Sequence, residues 1–228
     1  MTGVQAMIKA VFIDYMGTTV DEHSPEMAEI VHRICKNSSI HDPKQVQRFI
    51  LDNRRRYEAD SYLDSYRTQD KIVDRLISDM EDQIGLTDEP SALRGLIRDH
   101  WINAPVFSDA RTFFVQCPVP IYIITNNGLS YMERALRHNG LKAAGVVSAD
   151  AARAYKPRRE IFDEALRFSG STPGEAVHIG DSYDTDVVGA RVAGIRPVLL
   201  LRGHTRRYDD VDAADDLEQA LELIFKRS

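Results

Sequence analysis

Short apolar runs alternate with helix-period segments along much of the chain. Runs of apolar and β-branched residues occupy 10–13, 121–124, 146–147, 176–179 and 197–201. Such runs are typical of strands that are buried on both faces of a parallel sheet. Helical periodicity occupies 129–138, 159–168 and 216–225. The alternation from about residue 118 onward predicts an α/β fold with a doubly wound, Rossmann-like parallel sheet.

The segment 21–101 breaks this rhythm, because it contains no convincing strand. Apolar residues recur there at helical spacing in three stripes: Met27, Ile30, Val31 and Ile34; Val46, Phe49, Ile50 and Tyr57; Ile72, Leu76 and Met80. Ser24-Pro25 and Asp42-Pro43 each place a capping side chain before a proline at the first helical position. The pattern predicts an α-helical cap domain, 21–101, inserted into a core domain formed by 1–20 and 102–228. Two crossings, near 19–24 and 100–105, would join them.

Composition narrows the class of partner. The 228 residues carry a net charge of −6, and the sequence shows no concentrated cluster of basic residues, which argues against nucleic acid as a partner. Cys35 and Cys117 are too few and too isolated for a disulfide framework or a zinc site. No apolar run approaches the ~20 residues of a membrane span. We therefore expect a cytoplasmic protein with no membrane partner, and either a monomer or a homodimer is compatible with the sequence.

Polar residues stand where the predicted strands end. In open α/β sheets, ligands bind beyond the carboxyl ends of the strands, so we expect Asp14, Thr125, Asp181 and Lys156 to meet in one crevice. The segment 125–128, Thr-Asn-Asn-Gly, offers a hydroxyl and backbone N–H groups at a helix start, which suit a phosphate group. The acids of the segment 181–186 supply hard oxygen ligands that suit Mg²⁺.

In their order and spacing these motifs resemble those of the haloacid dehalogenase superfamily of hydrolases. Asp14 to Thr18 correspond to the first motif, Thr125-Asn126 to the second, Lys156 to the third, and Gly180-Asp181 with Asp186 to the fourth. The resemblance covers nearly the whole chain outside the insert. The insert lies after the first motif, where the subclass with a helical cap carries it.

The resemblance implies a role for each motif residue. Asp14 would be the nucleophile that forms an aspartyl intermediate, Thr125 and Asn126 would bind the phosphoryl oxygens, and Lys156 would hold the reacting groups in line. Gly17 and Thr18 of the first motif would also lie against the substrate. The implied cofactor is Mg²⁺, with ligands from Asp14, the backbone carbonyl of Met16, Asp181 and Asp186, the last directly or through water.

Met16 is the departure from the usual pattern. Common phosphatases of the family have an aspartate there, which protonates the leaving oxygen and then activates water, whereas a thioether cannot move protons. Losing such help typically costs ~10²- to 10⁴-fold in rate. Either the aspartyl phosphate persists, in which case Met16→Asp should speed its hydrolysis, or another group, such as a cap side chain, moves the proton.

Three kinds of relative lack the second acid. The phosphonoacetaldehyde hydrolases share the pattern Asp-aromatic-X-Gly-Thr-Thr, but they depend on a cap lysine, and this cap has only Lys36, Lys44 and Lys71. The 2-haloacid dehalogenases do not keep the Gly-Asp of the fourth motif, and transport ATPases have membrane segments. We therefore predict a phosphonatase-like, Mg²⁺-dependent hydrolase that acts on a small phosphorylated or related anionic metabolite. Cleavage of a C–P bond, dehalogenation, and a regulatory protein with weak turnover are the alternatives.

The polar residues of the second cap helix can be read in two ways. Arg54, Arg55, Arg56 and the later Arg67 could reach over the crevice and bind an anionic group, or could be surface charge, which we favour for most of them. Helical geometry turns Arg55 nearly opposite the apolar stripe, which makes it the poorest candidate for a ligand. Asn53 is a polar group on that stripe and would need a partner if it were buried, so we expect it to contact substrate.

Overall fold

The computed structural model describes residues 7–225, which contain a parallel six-stranded sheet. The strands are β1 (Ala10–Ile13), β2 (Ile121–Thr125), β3 (Gly145–Ser148), β4 (Ala176–Gly180), β5 (Arg196–Leu200) and β6 (Asp212–Ala214). Their order is β3-β2-β1-β4-β5-β6. The central strand β1 pairs with β2 on one side and with β4 on the other, so the strand order reverses there. A reversal of this kind opens a crevice at the carboxyl ends of the strands.

The predicted insert consists of helices that follow β1. These are α1 (Pro25–Asn37), α2 (Pro43–Ala59), α3 (Gln69–Ile84) and α4 (Pro90–Asn103). The side chains of Ser24 and Asp42 accept hydrogen bonds from the N–H groups of Met27 and Lys44, at 3.2 and 3.0 Å, as the capping pattern predicts. All three apolar stripes contribute to one cluster, which includes Ile30, Ile34, Val46, Ile72 and Leu76.

The two crossings between insert and core run side by side. The N–H of Asp21 donates to the carbonyl of Pro105 at 2.8 Å, and the N–H of Phe107 donates to the carbonyl of Thr19 at 3.2 Å. These two hydrogen bonds form a short backbone ladder at the crossings, and a separate hydrogen bond from the N–H of Leu63 to the carbonyl of Arg153, at 2.8 Å, also joins the insert to the core. Few backbone dihedrals need to change there for the two parts to rotate against each other.

Both faces of the sheet are covered, as the apolar runs predict. The remaining α-helices of the described residues are α5 (Ser108–Gln116), α6 (Leu129–Asn139), α7 (Ala149–Ala152), α8 (Arg159–Ser169), α9 (Val188–Val192) and α10 (Leu217–Phe225). Val11 and Ile13 belong to the apolar layer that includes residues of α5, α6 and α10. Ala10 and Phe12 belong to the opposite layer, with residues of α8 and α9. Since successive side chains of a strand point to opposite faces, this confirms the doubly wound α/β fold.

The apolar pattern does not predict α4, α5 or β6. The edge strand β6 has only three residues, Asp-Ala-Ala, and none is β-branched or aromatic. The apolar residues of α5 include the consecutive run 113–115, which has no helical spacing. The domain limits at 21 and 101 stay a prediction, and α4 continues to Asn103. The ends of the predicted core, 1–6 and 226–228, lie outside the described residues. Across 7–225, no helix combines the length and apolar character that crossing a bilayer requires.

Candidate active site

The residues predicted to meet in one crevice do so at the carboxyl edge of the sheet. Asp14 follows β1, Thr125 ends β2, and Asp181 follows β4. Lys156 comes from the loop between α7 and α8. Asp14, Thr125 and Lys156 are all buried, with at most 6% of their surface exposed. Parallel strands bring these chain-distant residues together because all of them end at the same edge.

A line of buried charged and polar side chains runs through the crevice. The Nζ of Lys156 donates to Oδ1 of Asp14 at 2.5 Å and to Oδ1 of Asp186 at 2.6 Å. On the far side, Nε2 of His178 lies 2.9 Å from Oδ1 of Asp186. One ammonium group is therefore shared between two carboxylates, and both carboxylates are held in fixed positions.

The pKa values follow from this crowding. Burial raises the pKa of Asp14 to about 6, although the Lys156 cation opposes the rise. Burial and the charges of Asp14 and Asp186 hold the pKa of Asp181 well above its usual range. Burial would also raise the pKa of Asp186, but Lys156 and the hydrogen bond with His178 outweigh it and lower that pKa. Ionising all three acids beside a single lysine is unfavourable, so the site favours an additional cation.

Asp14, Asp181 and Asp186 form an acidic cluster whose carboxylate oxygens lie within 4.8 Å of one another. Several carboxylates that converge on one point are a suitable donor set for Mg²⁺. Met16, whose backbone carbonyl is the fourth predicted ligand, lines the same cleft. The residues therefore fit the metal, and their roles as ligands stay a prediction.

Gly17 and Thr18 lie beside Asp181. The Thr18 hydroxyl donates to Oδ1 of Asp181 at 2.7 Å and accepts a hydrogen bond from its backbone N–H at 3.0 Å. A Cβ on Gly17 would lie 2.6 Å from Oδ2 of Asp181, and the φ of +81° at Gly17 also favours glycine. Both residues therefore position the Asp181 carboxylate, and their predicted contact with substrate is untested.

The loop after β2 presents polar groups at the start of α6. Oγ1 of Thr125 accepts a hydrogen bond from the N–H of Asn127 at 3.2 Å. Oδ1 of Asn126 accepts one from the backbone N–H of Lys156 at 2.8 Å. This second bond ties the loop that would bind phosphoryl oxygens to the segment that carries the lysine.

The insert covers the crevice and leaves a cleft of about 390 Å³. Asp14, Met16 and Lys156 line the core side. The side facing them includes one face of α2, made of Leu51 and three charged residues, Arg54, Arg55 and Glu58. Positions i, i+3, i+4 and i+7 lie on one side of a helix. Helix α2 therefore contacts the rest of the protein on two faces: the apolar stripe packs inside the insert, and this second face lines the cleft over the crevice.

The sequence-based expectations for α2 need correction. Arg55, expected to be the poorest ligand candidate, lines the cleft, with its Nη1 3.8 Å from Oδ2 of Asp184. Asn53 is not among the residues that line the cleft. Its Nδ2 donates to the carbonyl of Phe49 at 2.9 Å, and its Oδ1 accepts from Arg56 at 3.0 Å. The partners of Asn53 are thus supplied by its own helix, so burial does not require a substrate contact.

Two residues at the site escaped the sequence reasoning. His178 is a polar residue within the apolar run of β4, and that break in the pattern was an available signal. Glu58 is buried beside the cleft, and its Oε2 accepts a hydrogen bond from Nδ2 of Asn126 at 3.2 Å. In the sequence, only the helical spacing from Leu51 places Glu58 on this face of α2. A solvent-exposed helix face has the same spacing, so the sequence could not identify Glu58 as a residue of the site.

Comparisons with known proteins agree with this arrangement. A family model described as HAD-hydrolase-like matches residues 154–222. A glyceraldehyde 3-phosphate phosphatase of Methanothermobacter thermautotrophicus is 33% identical over 87 residues, which is 35% of this chain and 38% of that protein. The chain thus matches less than two fifths of the length of this curated relative.

Solved structures match over nearly the full length. The L-2-haloacid dehalogenase from Xanthobacter autotrophicus aligns with a TM-score of 0.81 at 17% identity, over 97% of this chain and 100% of that one. A HAD-hydrolase from Bacillus subtilis bound to magnesium aligns with a TM-score of 0.77 at 17% identity, over 96% and 99%. At such identities the likeness establishes the fold. The family model and the curated relative independently show that part of this chain is similar to hydrolases of the haloacid dehalogenase superfamily.

Proposed function

We propose that this protein is a Mg²⁺-dependent phosphatase that acts on a small phosphorylated metabolite through an aspartyl phosphate on Asp14. The observation that carries the proposal is the buried Asp14 carboxylate, which Lys156 holds at 2.5 Å beside two further carboxylates. A carboxylate held in this way can act as a nucleophile. The similarity to a glyceraldehyde 3-phosphate phosphatase adds support for a phosphate ester as substrate.

The side chains suggest how the reaction would proceed. Asp14 would attack phosphorus, while the Thr125 hydroxyl and the backbone N–H of Asn126 would donate hydrogen bonds to the phosphoryl oxygens. Lys156 would keep Asp14 in position and offset negative charge as the phosphoryl group transfers. Asp14, Asp181, Asp186 and the Met16 carbonyl would hold Mg²⁺, which when bound would stabilise charge on the phosphoryl oxygens as a Lewis acid.

The cleft supports a small anionic substrate. Its volume of about 390 Å³ lies in the range of small-molecule sites, ~300–1,000 Å³. Arg54 and Arg55 of α2 line it and would attract a negatively charged group. Closure of the helical cap over the core would exclude bulk water from the reacting groups.

The alternative chemistries have less support. No lysine of α1 to α4 is among the described residues that line the cleft, so the imine chemistry of phosphonoacetaldehyde hydrolases has no amine there. The likeness to haloacid dehalogenases rests on the fold at 17% identity. The Gly180-Asp181 pair and the acidic cluster favour the metal-dependent reading over dehalogenation.

The test is a substrate panel under matched metal conditions. Purified protein is assayed for phosphate release from an aryl phosphate and from a set of phosphorylated metabolites, with Mg²⁺ and with a chelator. We expect Mg²⁺-dependent release, absent in Asp14→Asn. Fluoride release from fluoroacetate that persists in chelator, without phosphate release, would replace this proposal with dehalogenation.

A further inference from the structure

Met16 leaves the site without a proton donor at the position two residues after the nucleophile. A replacement donor would have to come from another residue that lines the cleft. Outside the acidic cluster, the carboxylates among its described lining residues are Glu22, Glu58 and Asp184. Glu22 and Asp184 are exposed, whereas Glu58 is only 6% exposed. Glu58 is therefore the carboxylate of this set that is shielded from bulk water.

A hydrogen-bonded relay through Asn126 fixes Glu58 relative to the reacting groups. The backbone N–H of Lys156 can only donate, so the atom of Asn126 that faces it at 2.8 Å must be the carbonyl oxygen. The amide nitrogen of Asn126 then points the other way and donates to Oε2 of Glu58 at 3.2 Å. The cap carboxylate is thus anchored to the same segment that carries the catalytic lysine.

The charges around Glu58 oppose the effect of its burial. Burial raises its pKa above the usual range, while Arg54 and Arg55 on its own helix and Lys156 from the core lower it. Nε of Arg54 lies 3.7 Å from Oε1. The charge of Glu58 in turn contributes to raising the pKa of the core residue Tyr155, which is raised mainly by burial. Burial is the largest of the influences on Glu58, so its pKa stays above the ordinary range of a carboxyl group.

We infer that Glu58 is the acid/base of this site and supplies from the cap the proton transfers that Met16 cannot perform. The inference rests on the proposed phosphatase function. In the first step Asp14 bonds to phosphorus, the ester P–O bond breaks, and the leaving oxygen takes the proton of Glu58. In the second step the Glu58 carboxylate takes a proton from water as the water oxygen bonds to phosphorus. The bond from Asp14 to phosphorus then breaks, and Asp14 regains its electron pair. The sum is an ester and water giving an alcohol and phosphate.

A merely structural role would have other consequences. If Glu58 only held the cap against Asn126, its replacement would weaken cap closure and raise KM, and an acid introduced at position 16 would restore nothing. If Glu58 transfers protons, the loss falls on kcat, and a carboxylate at position 16 can take over the task.

The experiment compares Glu58→Gln with Glu81→Gln, an exposed glutamate of α3 that serves as the matched control. We expect Glu58→Gln to lower kcat by ~10²- to 10⁴-fold with an unchanged melting temperature, and to remove one limb of the pH–rate profile. Adding Met16→Asp to Glu58→Gln should recover at least ~10-fold of kcat, whereas Glu81→Gln should match the wild type. A Glu58→Gln enzyme within ~3-fold of wild-type kcat, or a loss that Met16→Asp does not recover, would overturn the inference. Absence of phosphate release from the wild type would overturn the proposed function as well, and is distinct from either result.

Discussion

Replacing Lys156 with methionine tests whether its ammonium group holds the acidic site together. Lys156→Met keeps the length of the side chain and removes the cation that lies 2.5 Å from Asp14 and 2.6 Å from Asp186. The carboxylates of the acidic cluster then face one another, with oxygens within 4.8 Å. At an effective dielectric constant near 20, two unit charges at this distance repel by ~3 kcal/mol.

The repulsion between the carboxylates agrees with the typical cost of breaking a buried ion pair. Removing one partner of a buried ion pair typically costs ~3–5 kcal/mol. For a domain of this size, each kcal/mol shifts the melting temperature by ~2–4 °C, so we expect metal-free Lys156→Met to melt ~6–20 °C below the wild type near pH 7. Lys142→Met, at an exposed lysine, is the control and should melt with the wild type.

The pH dependence gives the prediction its sign. Lys156 lowers the pKa of Asp14, which burial raises to about 6, so without the lysine this pKa should rise further. The folded variant then binds more protons than its unfolded chain between about pH 4 and pH 7, and its stability rises as pH falls through that window. The gap to the wild type should therefore narrow near pH 5. Thermal melts of both proteins at the two pH values measure it. A gap below ~1 kcal/mol near pH 7, or one that widens on acidification, would refute the reasoning.

Three further substitutions test the nucleophile, the metal site and the packing beneath it. Asp14→Asn should abolish turnover and, without metal, raise the free energy of unfolding near pH 7 by up to ~3 kcal/mol, because burial raises the pKa of the lost carboxyl group from 3.8 to about 6. Lys156 keeps Asp186 as its partner at 2.6 Å, so this change leaves no unpaired cation. The gain should fade near pH 4, and a less stable variant in denaturant melts would contradict it. Asp181→Asn should weaken Mg²⁺ binding ~10- to 100-fold in calorimetric titration, and an unchanged Kd would exclude Asp181 as a ligand. Gly180→Ala should cost ~1–3 kcal/mol of stability and lower activity, because the new Cβ would lie 2.2 Å from Cγ of Asp186. In the control Gly95→Ala the new Cβ has no atom within 4 Å, so equal melting temperatures for the two variants would contradict the packing argument.

Much of the core was determined by local pattern. Five of the six strands follow from short apolar runs, because a strand buried on both faces needs apolar side chains at successive positions. The crevice follows from the same pattern, since parallel strands end at one edge and carry Asp14, Thr125 and Asp181 there. The strand β6 did not follow, because a short edge strand needs few apolar contacts and its pairing is decided by the neighbouring β5.

Only the tertiary structure decided what covers the crevice. The apolar stripe of α2 shows which face packs inside the insert, but a polar face looks the same in sequence whether it meets solvent or an active-site cleft. The sequence pattern therefore contained no sign of Glu58 and ranked Arg55 last, although both line the cleft. It favoured Asn53 instead, whose hydrogen-bond partners come from its own helix. The relay from Lys156 through Asn126 to Glu58 joins residues up to 98 positions apart. Such a relay depends on how the insert docks on the core, and docking is set by packing between distant surfaces that no local period encodes.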